Sequence, residues 1–286
     1  MPITGEDRLY MATSLHDAAA ALADRGRDGA PLAGATWIMR APLRHEPDAL
    51  AYVGISRIDA LRHIDIDDDA ASIGASVTHA ELASALSAYP EFRVLAQAAG
   101  NSANPAIRQV ATIGGNLCTA AFPAADLVPA LLCLDAEVDL QTVRGSERVS
   151  LESFLSVRAT LEPGCFLHRV VVPRRPRRCV HIRLPLRKAG DYPVAIISVA
   201  IEQSPDGGAS GFAIAVGSVE SVARRWRQLE ADLAGYGLDP VRACERAEHH
   251  AGDFHGRDGV EAPGWYRVKV LPALMGRAIE ALRREA

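Results

Sequence analysis

Residues 101–126, NSANPAIRQVATIGGNLCTAAFPAAD, constrain the fold of this chain more than any other stretch. Loop formers surround a Gly-Gly pair, and an apolar run follows directly. Thr112, Ile113, Gly114, Gly115 and Asn116 bring a hydroxyl, two glycines and an amide together. Glycine lets a ligand come close to the backbone. Successive exposed N–H groups in a turn make an anion-binding concavity, and Thr112 and Asn116 add side-chain donors. Such a set suits a diphosphate. No Lys-Ser/Thr pair follows, so it is not a Walker loop, and the spacing is not GxGxxG. A second turn of similar character, Ala33-Gly34-Ala35-Thr36 running on to Trp37 and Ile38, ends a short strand earlier in the chain. Taken alone, it is equally a tight turn beside a packed strand.

With 286 residues the chain has room for about two domains. A hydrophobic share of 49% is enough for sizeable cores. The net charge of -4 lacks the basic footprint of a nucleic-acid binder, and 5% aromatics leave little for base stacking. No run reaches the roughly 18 apolar residues of a membrane helix, and the first 17 positions hold no signal-like run. The expectation is a soluble, cytoplasmic protein. Cys118, Cys133, Cys165, Cys179 and Cys244 are scattered, whereas cluster ligands come in close pairs. They are expected to be free thiols, which excludes an iron–sulfur site within this chain.

The pattern predicts a strand and helix over 9–26 capped by Ser14, strands near 51–55 and 71–73, and a helix over 80–84 capped by Thr78. A helix over 92–99, one opened by Asp126 over 127–134, and strands over 137–141 and 170–172 follow. Asp65, Asp67, Asp68 and Asp69 fit a solvated hairpin. The run Pro173 to Arg178, with two prolines and four arginines, reads as an exposed interdomain linker and a poor central strand. Beyond it come strands over 194–201 and 212–216 around a polar Gly207-Gly208 turn, then helices over 222–234 and 240–249 and a last one over 265–284, interrupted or started by Pro272. The fold class is α+β, in two parts divided near position 172.

Together the two turns resemble the paired FAD-pyrophosphate loops of molybdenum hydroxylase flavin subunits, the xanthine dehydrogenase and carbon monoxide dehydrogenase family. There the first reads AGGTDL or AGGxSL and the second NPxIRxxATIGGN. Asn104, Pro105, Ile107, Arg108, Ala111 and the stretch Thr112 to Asn116 match. So do Pro123-Ala124-Ala125-Asp126-Leu127 to SPAADLLPAL, Ile73-Gly74-Ala75 with Thr78 and Glu81-Leu82 to IGAxxTxxEL, Arg187-Lys188-Ala189-Gly190-Asp191-Tyr192 to RKxGDYA, and Tyr266-Arg267 to a YR before the last helix.

The resemblance implies a two-subdomain FAD-binding domain of the vanillyl-alcohol oxidase/PCMH-like type over 1–172, with subdomains near 1–55 and 56–172, and a smaller C-terminal α/β domain over 173–286. It implies non-covalent FAD. Ala33, Gly34, Ala35, Thr36, Trp37 and Ile38, with Thr112, Ile113, Gly114, Gly115 and Asn116, would hold the pyrophosphate. Asp126 would reach the sugar or adenosine side, Leu167 and Tyr192 would lie against the flavin, and Arg183 would stand where the family often has a lysine near the ring. The implied partners are a large subunit with the molybdenum cofactor, a small subunit with [2Fe-2S] clusters, and an external electron acceptor, with no nucleic acid and no membrane. Ala35 replaces the second glycine of the first loop, which is tolerable if the backbone there has a negative φ. Trp37 replaces an Asp or Ser, and Phe122 lengthens the path to Asp126 by one residue. An FAD-free docking subunit and a stand-alone flavin oxidase are the rival readings. Yellow protein that releases FAD excludes the first, and co-purifying molybdenum and iron–sulfur chains exclude the second.

Overall fold

Short strands and a small-residue helix open the chain: Leu9–Met11 (β1), Leu15–Arg25 (α1), Gly29–Leu32 (β2) and Ala51–Gly54 (β3). The Ser14 side chain caps α1 by accepting the Asp17 N–H, and Ala18, Ala19 and Leu22 form its buried stripe. β3 lies between β1 and β2 and runs parallel to both. This computed structural model describes residues 8–45, 51–186, 192–203 and 209–284. The Gly207-Gly208 turn and Arg187 to Asp191 lie outside the described residues.

Next come Ile64–Ile66 (β4), Ala70–Gly74 (β5), His79–Ala85 (α2), Arg93–Asn101 (α3), Pro105–Arg108 (α4), Ile113–Cys118 (α5) and Leu127–Cys133 (α6). Glu137–Thr142 (β6), Gly145–Ser150 (β7), Leu151–Val157 (α7) and Phe166–Pro173 (β8) follow. A five-stranded sheet has the order β4-β5-β8-β6-β7. Asp67 closes the β4–β5 turn by accepting the N–H groups of Asp69 and Ala70, the solvated hairpin expected. In β6, buried Asp139 pairs across the sheet with Arg148 of β7 and Arg169 of β8, each Nε at 2.7 Å. The Arg148 hydrogen bond, more than any other contact, holds the Asp139 carboxyl below its usual range.

The chain ends with Arg177–Pro185 (β9), Pro193–Gln203 (β10), Ala209–Gly217 (β11), Arg224–Arg225 (β12), Arg227–Leu233 (α8), Pro240–His249 (α9), Gly264–Lys269 (α10) and Leu271–Arg284 (α11). β12-β11-β10-β9 form an antiparallel sheet. Ile197, Val199 and Ile201 share a core with Ile214, Trp226 and the apolar stripes of α8, α9 and α11. Their alternates Ile196, Ser198 and Ala200 are buried too, because α3 and α6 cover the other face. Spatial proximity divides the chain into two units. Met1–Glu81, Pro105–Ala120 and Ala136–Val172 make the first, with the three- and five-stranded sheets. Leu82–Asn104, Ala121–Asp135 and Pro173–Ala286 make the second.

Several expectations are corrected. The arginine run is not an exposed linker. Arg174 pairs with Glu91 at 2.7 Å, Arg177 is buried, and Arg177 and Arg178 open β9. The prolines precede that strand, and β9 is an edge strand. The helix expected over 222–234 begins only at Arg227, because Arg224 and Arg225 pair with β11 and Trp226 is drawn into the core. The segment 101–126 holds two short helices, α4 and α5. Asp126 does not cap α6 with its side chain. Among the described residues, no helix is long and apolar enough to cross a membrane.

Candidate functional site

The first unit brings the two turns together. Gly34 sits so close to the segment leading into α5 that a Cβ built on it would lie 1.7 Å from the Val110 carbonyl oxygen and 3.4 Å from Ala111 Cα. Only glycine fits. The following residue, Ala35, has φ 56, outside the negative range in which an alanine sits without strain. This left-handed conformation costs a non-glycine residue roughly 1–2 kcal/mol. It is held because the Ala35 carbonyl accepts the Met39 N–H at 2.9 Å, opening the 3₁₀ turns that follow. Within this turn the N–H groups of Gly34, Ala35 and Thr36, and the Thr36 hydroxyl, donate to no described residue. Trp37 is turned toward Arg44, whose guanidinium lies 3.8 Å from the ring centroid and donates to the Trp37 carbonyl.

The second turn is built differently. Ile113 N–H donates to Val77, Gly114 N–H to Ala75 and Asn116 N–H to Thr112, at 2.9, 2.9 and 3.0 Å. Gly115 N–H donates to the Thr112 hydroxyl at 3.1 Å, which caps α5. His79 N–H donates to Ala111, and Ala75 N–H to His168 in β8. The expectation that these glycines hold out N–H groups is therefore corrected for Gly114 and Gly115. Gly114 is required because a Cβ there would lie 2.7 Å from the Ala75 oxygen. Gly115 stays exposed, Asn116 is half-buried, and Thr112 and Ile113 are buried. At the far end of α5, buried Arg158 donates to the Leu117 carbonyl, where a helix favours a cation. Nothing in the sequence pointed to Arg158. Leu167 lies in β8 opposite Leu140, covered by the protein itself.

The second unit holds the other candidates. Asp126 is 4% exposed, and its Oδ1 accepts from Arg183 Nε at 2.8 Å. His181 Nε2 faces the same oxygen at 3.5 Å, while its Nδ1 meets Ser198 Oγ at 2.9 Å. Asp126 and Arg183, chosen separately from the sequence, are thus direct partners. His181 and Ser198 went unnoticed, although strand alternation puts 181 and 183 on one face of β9. Tyr192 meets Phe122 edge-on with ring centroids 5.1 Å apart.

The chemistry of the first turn fits a diphosphate. Three consecutive N–H groups and a hydroxyl lie uncommitted around a left-handed residue, and such nests take anions.

Residues 5–175 match the FAD-binding domain of molybdopterin dehydrogenases, and the chain belongs to that family. It is an FAD-binding component of the dehydrogenase class of oxidoreductases. It is 29% identical over 282 residues to the 6-hydroxypseudooxynicotine dehydrogenase complex subunit alpha of Paenarthrobacter nicotinovorans, covering 96% of this chain and 94% of that one. It is 27% identical to the carbon monoxide dehydrogenase medium chain of Afipia carboxidovorans, with 99% of each covered. Among solved structures, reconstituted CO dehydrogenase from Oligotropha carboxidovorans superposes with a TM-score of 0.90 at 24% identity, covering 99% of this chain and 100% of that one. Quinoline 2-oxidoreductase from Pseudomonas putida 86 gives 0.87 at 22% identity, covering 100% and 99%. These likenesses establish the fold.

Proposed function

We propose that this chain is the electron-transferring flavin subunit of a heteromeric molybdenum hydroxylase. It takes electrons from the [2Fe-2S] clusters of a small subunit, supplied in turn by the molybdenum cofactor of a large subunit, and passes them to an external acceptor. Two lines support the reading. The family is that of FAD-binding domains, and full-length relatives are named as medium or alpha subunits of dehydrogenases. The observation that carries it is the row of uncommitted N–H groups at Gly34, Ala35 and Thr36, pressed against the chain entering Thr112.

Bound FAD supplies the conversion between one-electron clusters and a two-electron acceptor. The residues of this chain bind and orient it. Ala33 to Ile38 take the diphosphate directly. Thr112 to Asn116 form the rigid floor behind it, with Gly115 leaving room and Asn116 presenting an amide. Asp126 offers a carboxylate oxygen to a cofactor hydroxyl, and Tyr192 and Arg183 remain the candidates for the ring by the family resemblance, whereas the Leu167 side chain is covered by the protein itself. The domain division follows the same reading: a two-subdomain flavin domain of the vanillyl-alcohol oxidase/PCMH-like type over 1–172 and a smaller domain over 173–286.

The test is purification of the chain alone and with its co-purifying partners. The expected result is yellow protein that releases FAD on denaturation. Its flavin should bleach under reducing substrate only when molybdenum and iron–sulfur chains are present. A colourless chain that takes up no added FAD refutes the proposal.

A further inference from the structure

The geometry points to His181 and Ser198 as positioning residues that fix which oxygen of Asp126 faces the cofactor. The inference rests on the reading of Asp126 as a cofactor ligand and names the pair behind it.

The Asp126 carboxylate is buried but engaged on one side only. Oδ1 takes the Arg183 Nε hydrogen bond and lies nearest His181 Nε2, whereas Oδ2 meets no donor among the described residues. A carboxylate held by one oxygen offers the other as an acceptor, and a cofactor hydroxyl is the donor that fits it. His181 is well placed to set this asymmetry. Its side chain is fully buried, and β9–β10 pairing puts it directly opposite Ser198. Its own N–H donates to Gln97 Oε1 at 3.0 Å, so the backbone beneath the ring is fixed as well. Ser198 is itself fully buried, and its hydroxyl lies 2.9 Å from Nδ1.

A buried hydroxyl with one such neighbour donates to it. Nδ1 then accepts, and the ring proton sits on Nε2, facing Asp126. Nε2 makes no hydrogen bond among the described residues; Asp126 Oδ1, 3.5 Å away, is the charged atom it faces, so it orients the carboxylate electrostatically without clamping it. Ser198 thus sets the tautomer of His181, His181 faces Oδ1, and Oδ2 is left for the ligand. Neither residue touches the cofactor.

A double-mutant cycle on FAD affinity in the full chain tests this. Asp126→Asn is expected to weaken FAD binding. Ser198→Ala is expected to weaken it about fivefold, the effect of one lost neutral hydrogen bond. Ser198→Thr, which keeps a hydroxyl, is expected to restore it. In the Asp126→Asn background, Ser198→Ala should change nothing, because coupled residues are not additive. An equal loss in both backgrounds means a merely structural role and overturns the inference. So does unchanged affinity in Ser198→Ala while Asp126→Asn is impaired. If Asp126→Asn binds FAD like the parent chain, the reading of Asp126 fails and takes the inference with it, while the first-turn proposal stands. Should Ser198→Ala not fold, nitrogen NMR of His181 in the parent chain decides. A proton on Nε2 is expected, and a proton on Nδ1 alone overturns the inference.

Discussion

The two turns proposed to hold the diphosphate have exchanged the roles their sequences suggest. Thr112 to Asn116 is the distinctive stretch, yet its backbone N–H groups are taken up by Val77, Ala75 and Thr112. Ala33 to Thr36 is bland, yet three of its N–H groups and the Thr36 hydroxyl donate to no described residue. On the proposed reading, a recognisable motif marks where the backbone must be rigid and not where the ligand is gripped. The second turn is a floor stitched to the 75–79 segment and to β8, and the first is the hand laid on it.

The largest effect should come from Gly34→Ala, where a methyl would overlap the Val110 oxygen, a backbone atom that cannot swing away. Overpacking of this kind costs about 2 kcal/mol or more. FAD affinity should drop about tenfold or further as the first turn lifts off the second. Denaturant titration of the apo chain and a flavin fluorescence titration measure the two quantities. A variant that keeps parental affinity breaks the comparison at its root. Gly114→Ala, with its Cβ 2.7 Å from the Ala75 oxygen, should follow with a smaller loss. Ala35→Gly should act in the opposite sense. At φ 56 the alanine is strained, and glycine there should raise stability by about 1 kcal/mol and the melting temperature with it.

How much of this was legible follows from what each signal measures. Caps and periodicity are local, so Ser14, the Thr78 cap and the helix over 240–249 were readable in place, whereas the Asp239 cap of that helix was not singled out. Register and long-range acceptors are not local. That Gly114 is needed for Ala75, sequence-distant but adjacent in space, follows only from the fold. Nor does composition tell that Arg177 is buried, because a guanidinium run looks solvated until β9 pairs with β10. The Asp126–Arg183 pair was half legible, since both residues were singled out while their mutual bond was hidden by 57 positions of chain.

Two threonines sharpen the contrast more gently. Thr112→Val removes the cap of α5 and should cost the apo chain about 1 kcal/mol, with FAD affinity following only as the floor loosens. Thr36→Val removes a hydroxyl that bonds no described residue. It should leave apo stability unchanged and weaken FAD about fivefold. Equal behaviour of the two in both measurements would mean that the turns do not divide the work.

The smallest expected effect is a pH dependence confined to the floor. The second turn hangs on β8 through the Ala75–His168 bond, and β8 is held in register against β6 by Asp139 and Arg169. Asp139 titrates below its unfolded range, chiefly through the Arg148 hydrogen bond. A carboxylate depressed in the folded state contributes stability that is complete above the unfolded value near 3.9 and lost as pH falls through the lower folded value. Both arginines are close to half exposed, so solvent limits the contribution to about 1 kcal/mol. Asp139→Asn should therefore be less stable than the parent chain at neutral pH, and the gap should close as pH falls below about 4. In hydrogen exchange across that range, the amides of Ile113 and Gly114 should lose protection in the parent chain and not in the variant, where the anchor is already gone. A gap that widens with acid would place the anchor of the second turn elsewhere than in the Asp139 pairs.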